Sequence, residues 1–574
     1  MKKIKVPIFD EDFWWTEGEK TGPIQHFRLE GEEFLDGPVT RRIAVLDFDP
    51  DTGELFPGAR FKAPPAGREL GEYEIADATN INARDLNQVF VFSAVMRALL
   101  MIEKPDALGR RLTWAFKAPQ LLIVPRAGLW ENAFYQRETH SLQFFYFEHP
   151  KRPGEMVFTS LSRDIVSHEA GHAFIDAIAP DLYDAITPQS VAVHEGIADL
   201  VAVLAAFMDH TLVENVFKDT NGSLARSTAF SAVAEKFGGA LDQTGLAGYL
   251  RNLYNQKTLD PADTSRDDLG KPNLVSGPEP HDLSQVLSGA LYSVLVNLHK
   301  VHKDELSQKT GKSDYSVSGT ALFTAASSVK RLILRALDYL APGEISFADF
   351  GRAIIAYHQA RYPALTQNRD WICDEFVRRK MVPNRQALEV EIPFEHPALK
   401  DVDLDELVAR DGVAYQFAEK NRQLFHIPPD IPFEVKDRLK TTKRFFYRGE
   451  EDKDITELLF KVWWYATEPN SLGSRFSSQR RLKVGTTLAI DWESRQVMAR
   501  LTTDRSGQPD EEGQQRQDRD RFLGMLADEG VLRPGQRSIG PDGKQLRSVI
   551  SAEDMKGVMR VRGMARMLHI VGRR

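Results

Sequence analysis

Residues 164–172 read DIVSHEAGH and lie inside a longer segment, 162–178, whose apolar residues recur at helical spacing. On a helix, His168 and His172 are one turn apart on the same face, so both imidazoles can bind one metal ion. Glu169 follows the first histidine, where its carboxylate can reach a water molecule on that ion. Taken alone, this HExxH pattern is a weak signal, because two histidines on an amphipathic helix occur in many proteins that are not enzymes.

A second predicted helix supplies the missing ligand. Residues 193–199 read VHEGIAD, and the spacing of four places Glu195 and Asp199 on one face. Glu195 can bind zinc while Asp199 accepts the ring N–H of a ligand histidine and fixes its tautomer. His194 points about 100° away from Glu195, so only one of the two faces the metal. Two histidines and a carboxylate leave the fourth zinc position open, as in catalytic sites.

The competing interpretation of these residues is a solvated acidic stripe beside two core histidines. It is disfavoured because the surrounding residues 197–204 are largely apolar, which predicts a buried helix. Unpaired carboxylates are costly in such surroundings. Buried acids beside two spaced histidines therefore indicate a bound cation.

Composition limits the class of protein. The 574 residues exceed one compact domain, and 42% hydrophobic with 27% charged residues is typical of a globular chain. The net charge of -8 gives no indication of a nucleic-acid partner. A single cysteine, Cys373, excludes an internal disulfide and any multi-cysteine zinc site.

The amino-acid pattern indicates neither a signal peptide nor a membrane-spanning segment. Asp10, Glu11 and Asp12 interrupt the amino-terminal segment, which has no apolar h-region. The longest apolar run, 201–208, is shorter than the ~20 residues of a membrane helix. We therefore expect a cytoplasmic protein without a membrane span, while export without a signal stays open.

The patterns predict an α+β fold in four parts. Residues 1–74 form a β-rich extension, 75–225 a catalytic subdomain, 226–390 a mainly helical subdomain that completes the cleft, and 391–574 an accessory region. Helical spacing predicts helices over 85–103, 162–178, 190–208, 284–300, 319–340 and 347–362. In the accessory region we predict strands over 457–465 and 482–501, a polar linker over 505–521 and a basic tail from 533, which is either a solvated helical face or a surface for an acidic partner.

With these residues in place, the chain resembles the thermolysin-like zinc peptidases, a gluzincin family with the pattern HExxH…ExxxD. Residues 132–135 read NAFY and resemble the signature of that family's edge strand, and 142–146 resemble the strand that follows. A family tyrosine eleven residues after the second zinc histidine corresponds to Tyr183. A family histidine that opens a His-x-x-Ser helix corresponds to His281, with Tyr292 eleven positions on. The resemblance covers roughly residues 75–385 and implies a thermolysin-like core.

The resemblance implies a zinc metalloendopeptidase that hydrolyses peptide bonds through a zinc-activated water. Glu169 would be the general base, and Tyr183 and His281 would stabilise the oxyanion. Asp164, four before the first histidine, and Asp176, four after the second, would support the site as Asp199 does. Asn132 and Ala133 would bind a peptide or protein substrate as an added strand. We see no acidic amine-binding motif over 143–161, which favours an endopeptidase.

Some positions depart from the family. Its calcium-binding acids are mostly missing, with Ala206 at one expected position, so calcium is not supported. Ser276 stands where an aspartate would orient His281, and Glu279 is a candidate substitute. Arg251 and Lys257 are both candidates for the arginine that holds the substrate carbonyl.

An alternative to catalysis is a catalytically silent or self-inhibited zinc scaffold that acts through protein–protein interaction. In that case the region 391–574 would bind a protein partner or regulate the core. The strand with Trp463 and Trp464 could serve this purpose, although aromatic strands more often form core.

Overall fold

The computed structural model describes residues 3–9, 24–30, 33–67, 70–78, 80–233, 251–436, 438–446, 452–506, 509–534 and 550–562. In these residues the protein combines helices and sheets in an α+β fold, as the sequence predicts. The six helices predicted from helical spacing are confirmed, and two of them, at 280–310 and 314–339, are longer than predicted.

The described residues form the following helices and strands. The helices are α1 (Arg84–Glu103), α2 (Arg163–Ile178), α3 (Pro188–Ala206), α4 (His210–Thr220), α5 (Pro280–Thr310), α6 (Asp314–Tyr339), α7 (Phe347–Arg361), α8 (Thr366–Arg378), α9 (Pro397–Lys400), α10 (Leu404–Ala409), α11 (Asp411–Lys420) and α12 (Pro509–Asp528). The strands are β1 (Lys3–Phe9), β2 (Ile24–Glu30), β3 (Ile43–Val45), β4 (Phe61–Lys62), β5 (Leu70–Tyr73), β6 (Leu121–Val124), β7 (Ala133–Gln136), β8 (Ser141–Phe144), β9 (Tyr146–Glu148), β10 (Met156–Phe158), β11 (Ala232–Val233), β12 (Arg251–Asn252), β13 (Phe433–Val435), β14 (Leu439–Phe445), β15 (Lys453–Pro469), β16 (Gln479–Asp491), β17 (Val497–Thr502), β18 (Leu532–Pro534), β19 (Ile550–Asp554) and β20 (Val558–Arg562).

A four-stranded sheet carries the predicted edge strand. Its order is β3-β6-β8-β7, with β3, β6 and β8 parallel and β7 antiparallel to β8. Because β7 is last in the order, the segment 133–136 does lie at a sheet edge. One strand of the predicted amino-terminal extension, β3, is part of this sheet and pairs with β6.

Two glycines set the close packing of the helices behind this sheet. A Cβ added at Gly171 of α2 would lie 3.1 Å from the Cα of Ala198 on α3. A Cβ at Gly196 of α3 would lie 3.2 Å from the carbonyl oxygen of Ser284 on α5. Contacts this short leave no room for a side chain. The glycines therefore let α3 lie directly between α2 and α5.

Helices α1 and α3 are long and apolar enough to cross a membrane by length and composition. Both lie mostly buried inside the fold, where their apolar residues belong to the main core. The core helix of a globular domain passes the same test of length and composition.

The carboxy-terminal region is built on an eight-stranded sheet. Its order is β13-β15-β16-β20-β19-β18, with β14 also paired to β15 and β17 to β16. The predicted strands over 457–465 and 482–501 are confirmed as β15, β16 and β17. Trp464 is buried in a core formed with helices α9–α11.

In the described residues of this region, the predicted polar linker and the predicted helical face of the basic tail are wrong, while the tail as a surface for an acidic partner stays a prediction. The predicted polar linker over 505–521 mostly belongs to α12, whose last turns bury Phe522, Leu523 and Leu526. Its polar residues are fixed by ion pairs, since Arg519 lies 3.2 Å from Glu344. The described part of the basic tail forms strands rather than a helical face, while residues 535–549 and 563–574 lie outside the described residues.

Candidate metal centre

Three side chains from α2 and α3 converge on one point. His168 Nε2 and His172 Nε2 are 3.1 Å apart. Glu195 places Oε2 at 3.4 Å from His168 Nε2 and Oε1 at 3.5 Å from His172 Nε2. Ligands at 2.0–2.1 Å from a tetrahedral zinc ion have donor atoms roughly 3.3 Å apart. The spacing of the three donors therefore fits a tetrahedral zinc ion.

The environment of Glu195 tests whether a cation suits this site. Its side chain is 0% exposed, and neither carboxylate oxygen accepts a hydrogen bond from any residue that the structure describes. Burial opposes its ionisation, but the charges of His281, His172 and His168 hold the pKa of Glu195 well below its usual value. A buried carboxylate that is ionised and lacks hydrogen bonds needs a cation. The donor set of two imidazoles and one carboxylate is the one that zinc prefers in catalytic sites.

A second carboxylate, that of Glu169, also lies close enough to the two histidines to act as a ligand. However, its Oε2 accepts a hydrogen bond from the backbone N–H of Tyr135, at 3.1 Å. Burial raises the pKa of the Glu169 carboxyl to about 7, which suits a group that accepts and returns protons near neutral pH. Glu195 is thus the better ligand and Glu169 the better base.

Each histidine ligand is oriented through its other ring nitrogen. His168 Nδ1 lies 2.9 Å from Asp199 Oδ1, as the spacing on α3 predicts. His172 Nδ1 lies 2.7 Å from His194 Nδ1. Burial lowers the pKa of His194 to about 3, so its neutral ring can accept a hydrogen bond from His172. The sequence pattern predicts no role for His194, and its only signal there is a position beside Glu195, about 100° from the metal-facing side of the helix.

Of the two candidates for the substrate-carbonyl arginine, only Arg251 lies at this site. Its Nη2 is 2.9 Å from Asp199 Oδ1, and its Nη1 is 3.8 Å from Glu195 Oε2. Lys257 instead donates to the backbone carbonyl of Pro272 at 2.7 Å and lies 3.4 Å from Asp267. Arg251 is the basic group that can reach a substrate at the metal centre.

His281 stands beside the ligands at the start of α5. Its Nε2 is 3.6 Å from Glu195 Oε1, and its Nδ1 is 2.7 Å from Glu279 Oε1. Burial opposes protonation, but the carboxylates of Glu195 and Glu279 raise the pKa of His281 above its usual value. Glu279 therefore orients His281. It takes the place of the family aspartate, whose position is occupied here by the uncharged Ser276.

The edge strand β7 is already engaged along its outer side. Asn132 Oδ1 accepts from the N–H of Ala133 at 2.8 Å, and Glu169 accepts from that of Tyr135. The Tyr183 hydroxyl accepts from the N–H of Arg137 at 2.7 Å. A peptide that pairs with the last two of these N–H groups must displace Glu169 and Tyr183.

Asp176 and Asp164, both predicted to support the site, make different contacts in the structure. Asp176 accepts from the Tyr135 hydroxyl at 2.7 Å and from the Arg137 guanidinium, so it fastens the edge strand to α2. Asp164 lies in the first turn of α2, 3.6 Å from its neighbour Arg163. Tyr183 is buried, with its hydroxyl 3.3 Å from Glu138.

In comparisons with known proteins, no protein-family model and no curated protein matches the chain. Membership of the thermolysin-like peptidases therefore stays a prediction from the sequence motifs.

Proposed function

We propose that this protein is a zinc-dependent metalloendopeptidase with a thermolysin-like core. The observation that carries the proposal is the buried Glu195 carboxylate, which accepts no hydrogen bond from the described residues and lies 3.4–3.5 Å from two imidazole nitrogens. Glu169, on the same helix as both histidines, supplies a carboxyl with the protonation range of a general base. This combination is the donor set and base of metal-assisted amide hydrolysis.

His168, His172 and Glu195 would hold the zinc ion. When bound, zinc would polarise the substrate carbonyl and lower the pKa of a water molecule, so that this water can lose a proton and attack the carbonyl near neutral pH. Glu169 takes the proton of the attacking water and returns it to the leaving nitrogen. His281, held by Glu279, donates a hydrogen bond towards the oxygen that becomes negatively charged. Tyr183 makes the same contribution once its hydroxyl proton, which it donates to Glu138, turns to the substrate.

A matched pair of glutamine variants tests the proposal. Glu169→Gln removes the base but no ligand, so we expect about one zinc ion per chain and no cleavage of a peptide mixture. Glu195→Gln removes a ligand, so we expect loss of bound zinc as well as of cleavage. Zinc is measured by elemental analysis and cleavage by mass spectrometry. Equal zinc contents in the two variants, or cleavage by Glu169→Gln at the wild-type rate, would contradict the proposal.

The alternative, a silent or self-inhibited zinc scaffold, is favoured by one observation. Glu169 and Tyr183 both bind outward N–H groups of β7, the groups that a substrate strand would use. If the wild type binds zinc but cuts no peptide, this alternative replaces the first. If Glu169 and Tyr183 instead leave the edge strand β7 when substrate binds, the wild type should cut peptides. Digestion of the peptide mixture therefore distinguishes the peptidase from the silent scaffold.

A further inference from the structure

A charged cavity lies beyond the end of the edge strand. Its volume is about 400 Å³, and it is enclosed by residues after β7, by the loops before α3 and α7, and by strands β15, β16 and β20 of the carboxy-terminal sheet. The acids that line it are Glu138, Asp181, Asp184 and Glu344, and the bases are Arg481, Lys483 and Arg560.

Most of these acids are neutralised by a neighbouring cation. Asp181 lies 2.5 Å from Lys436 and 2.7 Å from Lys483. Asp184 lies 2.7 Å from the Arg137 guanidinium. Glu344 is paired with an arginine of α12 and accepts the backbone N–H of Ile186. The acid side of the cavity therefore offers little unbalanced negative charge apart from Glu138.

The basic side is different. Neither Arg481 nor Arg560 forms an ion pair with any residue in the described part of the chain. The guanidinium of Arg481 lies over the ring of Tyr465, with its carbon 3.2 Å from the centroid, which holds it in place from one side.

The two arginines are also neighbours across the sheet. Strands β16 and β20 are parallel, with Gln479 opposite Val558 and Arg480 opposite Met559, and Arg481 and Arg560 are the residues that follow these two pairs on their strands. Both line the same cavity. Glu553 of β19 is the cross-strand partner of Arg560 on its other side. Two guanidinium groups that line one cavity repel each other, and an anion between them would relieve this repulsion. Guanidinium groups bind carboxylates through paired N–H donors.

The cavity is connected to the metal centre through β7. Tyr135 donates its backbone N–H to Glu169, and Arg137 donates its own to the Tyr183 hydroxyl. That hydroxyl also contacts Glu138, which lines the cavity. Three residues span at most roughly 10 Å, and the distance from Tyr135 to Glu138 is shorter, because β7 ends at Gln136 and the chain then turns towards β8. A peptide lying along this edge would reach the cavity about three residues from the bond next to Glu169.

We propose that this cavity binds an acidic side chain of the substrate between Arg481 and Arg560, about three residues from the scissile bond. This inference rests on the proposed peptidase function and adds a substrate class to it. The charge balance favours an acidic side chain over a free amino terminus, because two lining cations, Arg481 and Arg560, lack an ion-pair partner among the described residues, against one lining acid. Glu138 is the only lining acid without a cation there, and it accepts from Tyr183.

Two series of peptides test the proposal. Alanine-based decapeptides carry a single glutamate at each position in turn, and a second series carries glutamine instead. For the wild type we expect one position, about three residues from the cut, at which glutamate raises kcat/KM roughly tenfold over glutamine, as for one charge-assisted contact. Arg481→Gln and Arg560→Gln should each remove most of this difference.

Arg475→Gln is the matched control, because Arg475 is an exposed arginine in the loop between β15 and β16, outside the cavity. It should keep the full glutamate preference. The same peptides are titrated into Glu169→Gln protein, with and without each cavity substitution, so that binding is measured without cleavage. Thermal unfolding of every variant verifies that it is folded.

The outcomes separate this inference from the proposed function. Equal cleavage and binding of the two series at every position, a glutamate preference that survives both arginine substitutions, or a preference for a free amino terminus would each overturn the cavity assignment. Absence of any cleavage would overturn the peptidase function, and the titration of Glu169→Gln protein would still decide whether the arginines select an acidic residue.

Discussion

Replacing Lys443 with methionine should destabilise the protein strongly, because this lysine joins the helical part to the carboxy-terminal sheet. It lies on β14 with a side chain that is 0% exposed, and its ammonium is 2.7 Å from Asp338 and 3.1 Å from Glu457. Methionine keeps the apolar stem and removes the charge. Asp338 would retain Arg110 at 2.6 Å, and Glu457 would retain Arg361 at 2.7 Å.

The size of the effect follows from burial. Removing one partner of a buried ion pair costs about 3–5 kcal/mol, and we expect the lower end because each acid keeps a second partner. The pKa of Glu457 gives a comparable figure. Burial opposes its ionisation, yet the charges of Lys443 and Arg361 lower the pKa to about 2 from an ordinary 4.5. That difference corresponds to ~3 kcal/mol shared between the two cations.

The sign of the pH dependence follows from the same pKa. Because the folded-state pKa of Glu457 is depressed, its stabilisation is fully present above pH 4.5 and is lost as the pH falls from 4.5 towards 2. The free energy of unfolding of the wild type should therefore fall over this range. In Lys443→Met the fall should be smaller, because part of the stabilisation is already gone.

Urea unfolding followed by tryptophan fluorescence measures the effect. Lys440→Met is the matched control, since Lys440 lies on the same strand with its side chain outward and pairs with Asp405, which is 77% exposed. Exposed pairs of this kind contribute about 0–1 kcal/mol. If Lys443→Met lowers the free energy of unfolding by less than about 1 kcal/mol, or by no more than Lys440→Met does, the buried network does not hold the two parts together.

Three further substitutions test the metal centre and its supports. Gly171→Ala places a Cβ 3.1 Å from the Cα of Ala198, so we expect a loss of about 1–3 kcal/mol in urea unfolding and weaker zinc binding, whereas Gly319→Ala, with no atom within 4 Å of its added Cβ, should be neutral or slightly stabilising. His194→Phe removes the acceptor behind a histidine ligand and should weaken zinc binding by ~10–100-fold in competition with a chelator; unchanged affinity would exclude an orienting role. Tyr183→Phe should lower kcat by ~10²–10³-fold with little change in KM, and an unchanged kcat would remove the tyrosine from the mechanism.

The parts of the site that the sequence predicts correctly depend on short-range spacing. His168 and His172, or Glu195 and Asp199, are one helical turn apart, and that spacing alone places each pair on one face of a helix. The contact of Asp199 with His168 follows once α2 and α3 pack together. The edge strand before the metal helix is predicted differently, from the resemblance of residues 132–135 to a family signature.

What the sequence could not predict depends on residues far apart in the chain. The almost wholly polar pattern of residues 505–521 predicts a linker, yet Arg519 of α12 is 3.2 Å from Glu344, far away in sequence. A local pattern cannot distinguish a solvated charge from one neutralised by a distant partner. The contact of His194 with His172 and the shared cavity of Arg481 and Arg560 are hidden for the same reason, since each depends on which elements pack against each other.

The carboxy-terminal sheet is bonded so firmly to the helical part that it is a poor candidate for a removable inhibitor of the metal centre. The Pro342 carbonyl accepts from Thr503 at 2.6 Å and the Leu340 carbonyl from Thr487 at 2.8 Å, so the loop before α7 is bonded to the sheet through its backbone. At Gly343, whose φ is +105°, any side chain would collide with the carbonyl of Lys483. Together with the buried charges on β14, these contacts would all have to break for the sheet to leave. We therefore expect a 1–390 fragment to unfold rather than to become a freed enzyme. If the enzyme is self-inhibited, we therefore expect the inhibiting contacts at the edge of β7 rather than in the carboxy-terminal sheet. There, two hydrogen bonds hold Glu169 and Tyr183 on the strand, and breaking them requires no separation of the sheet.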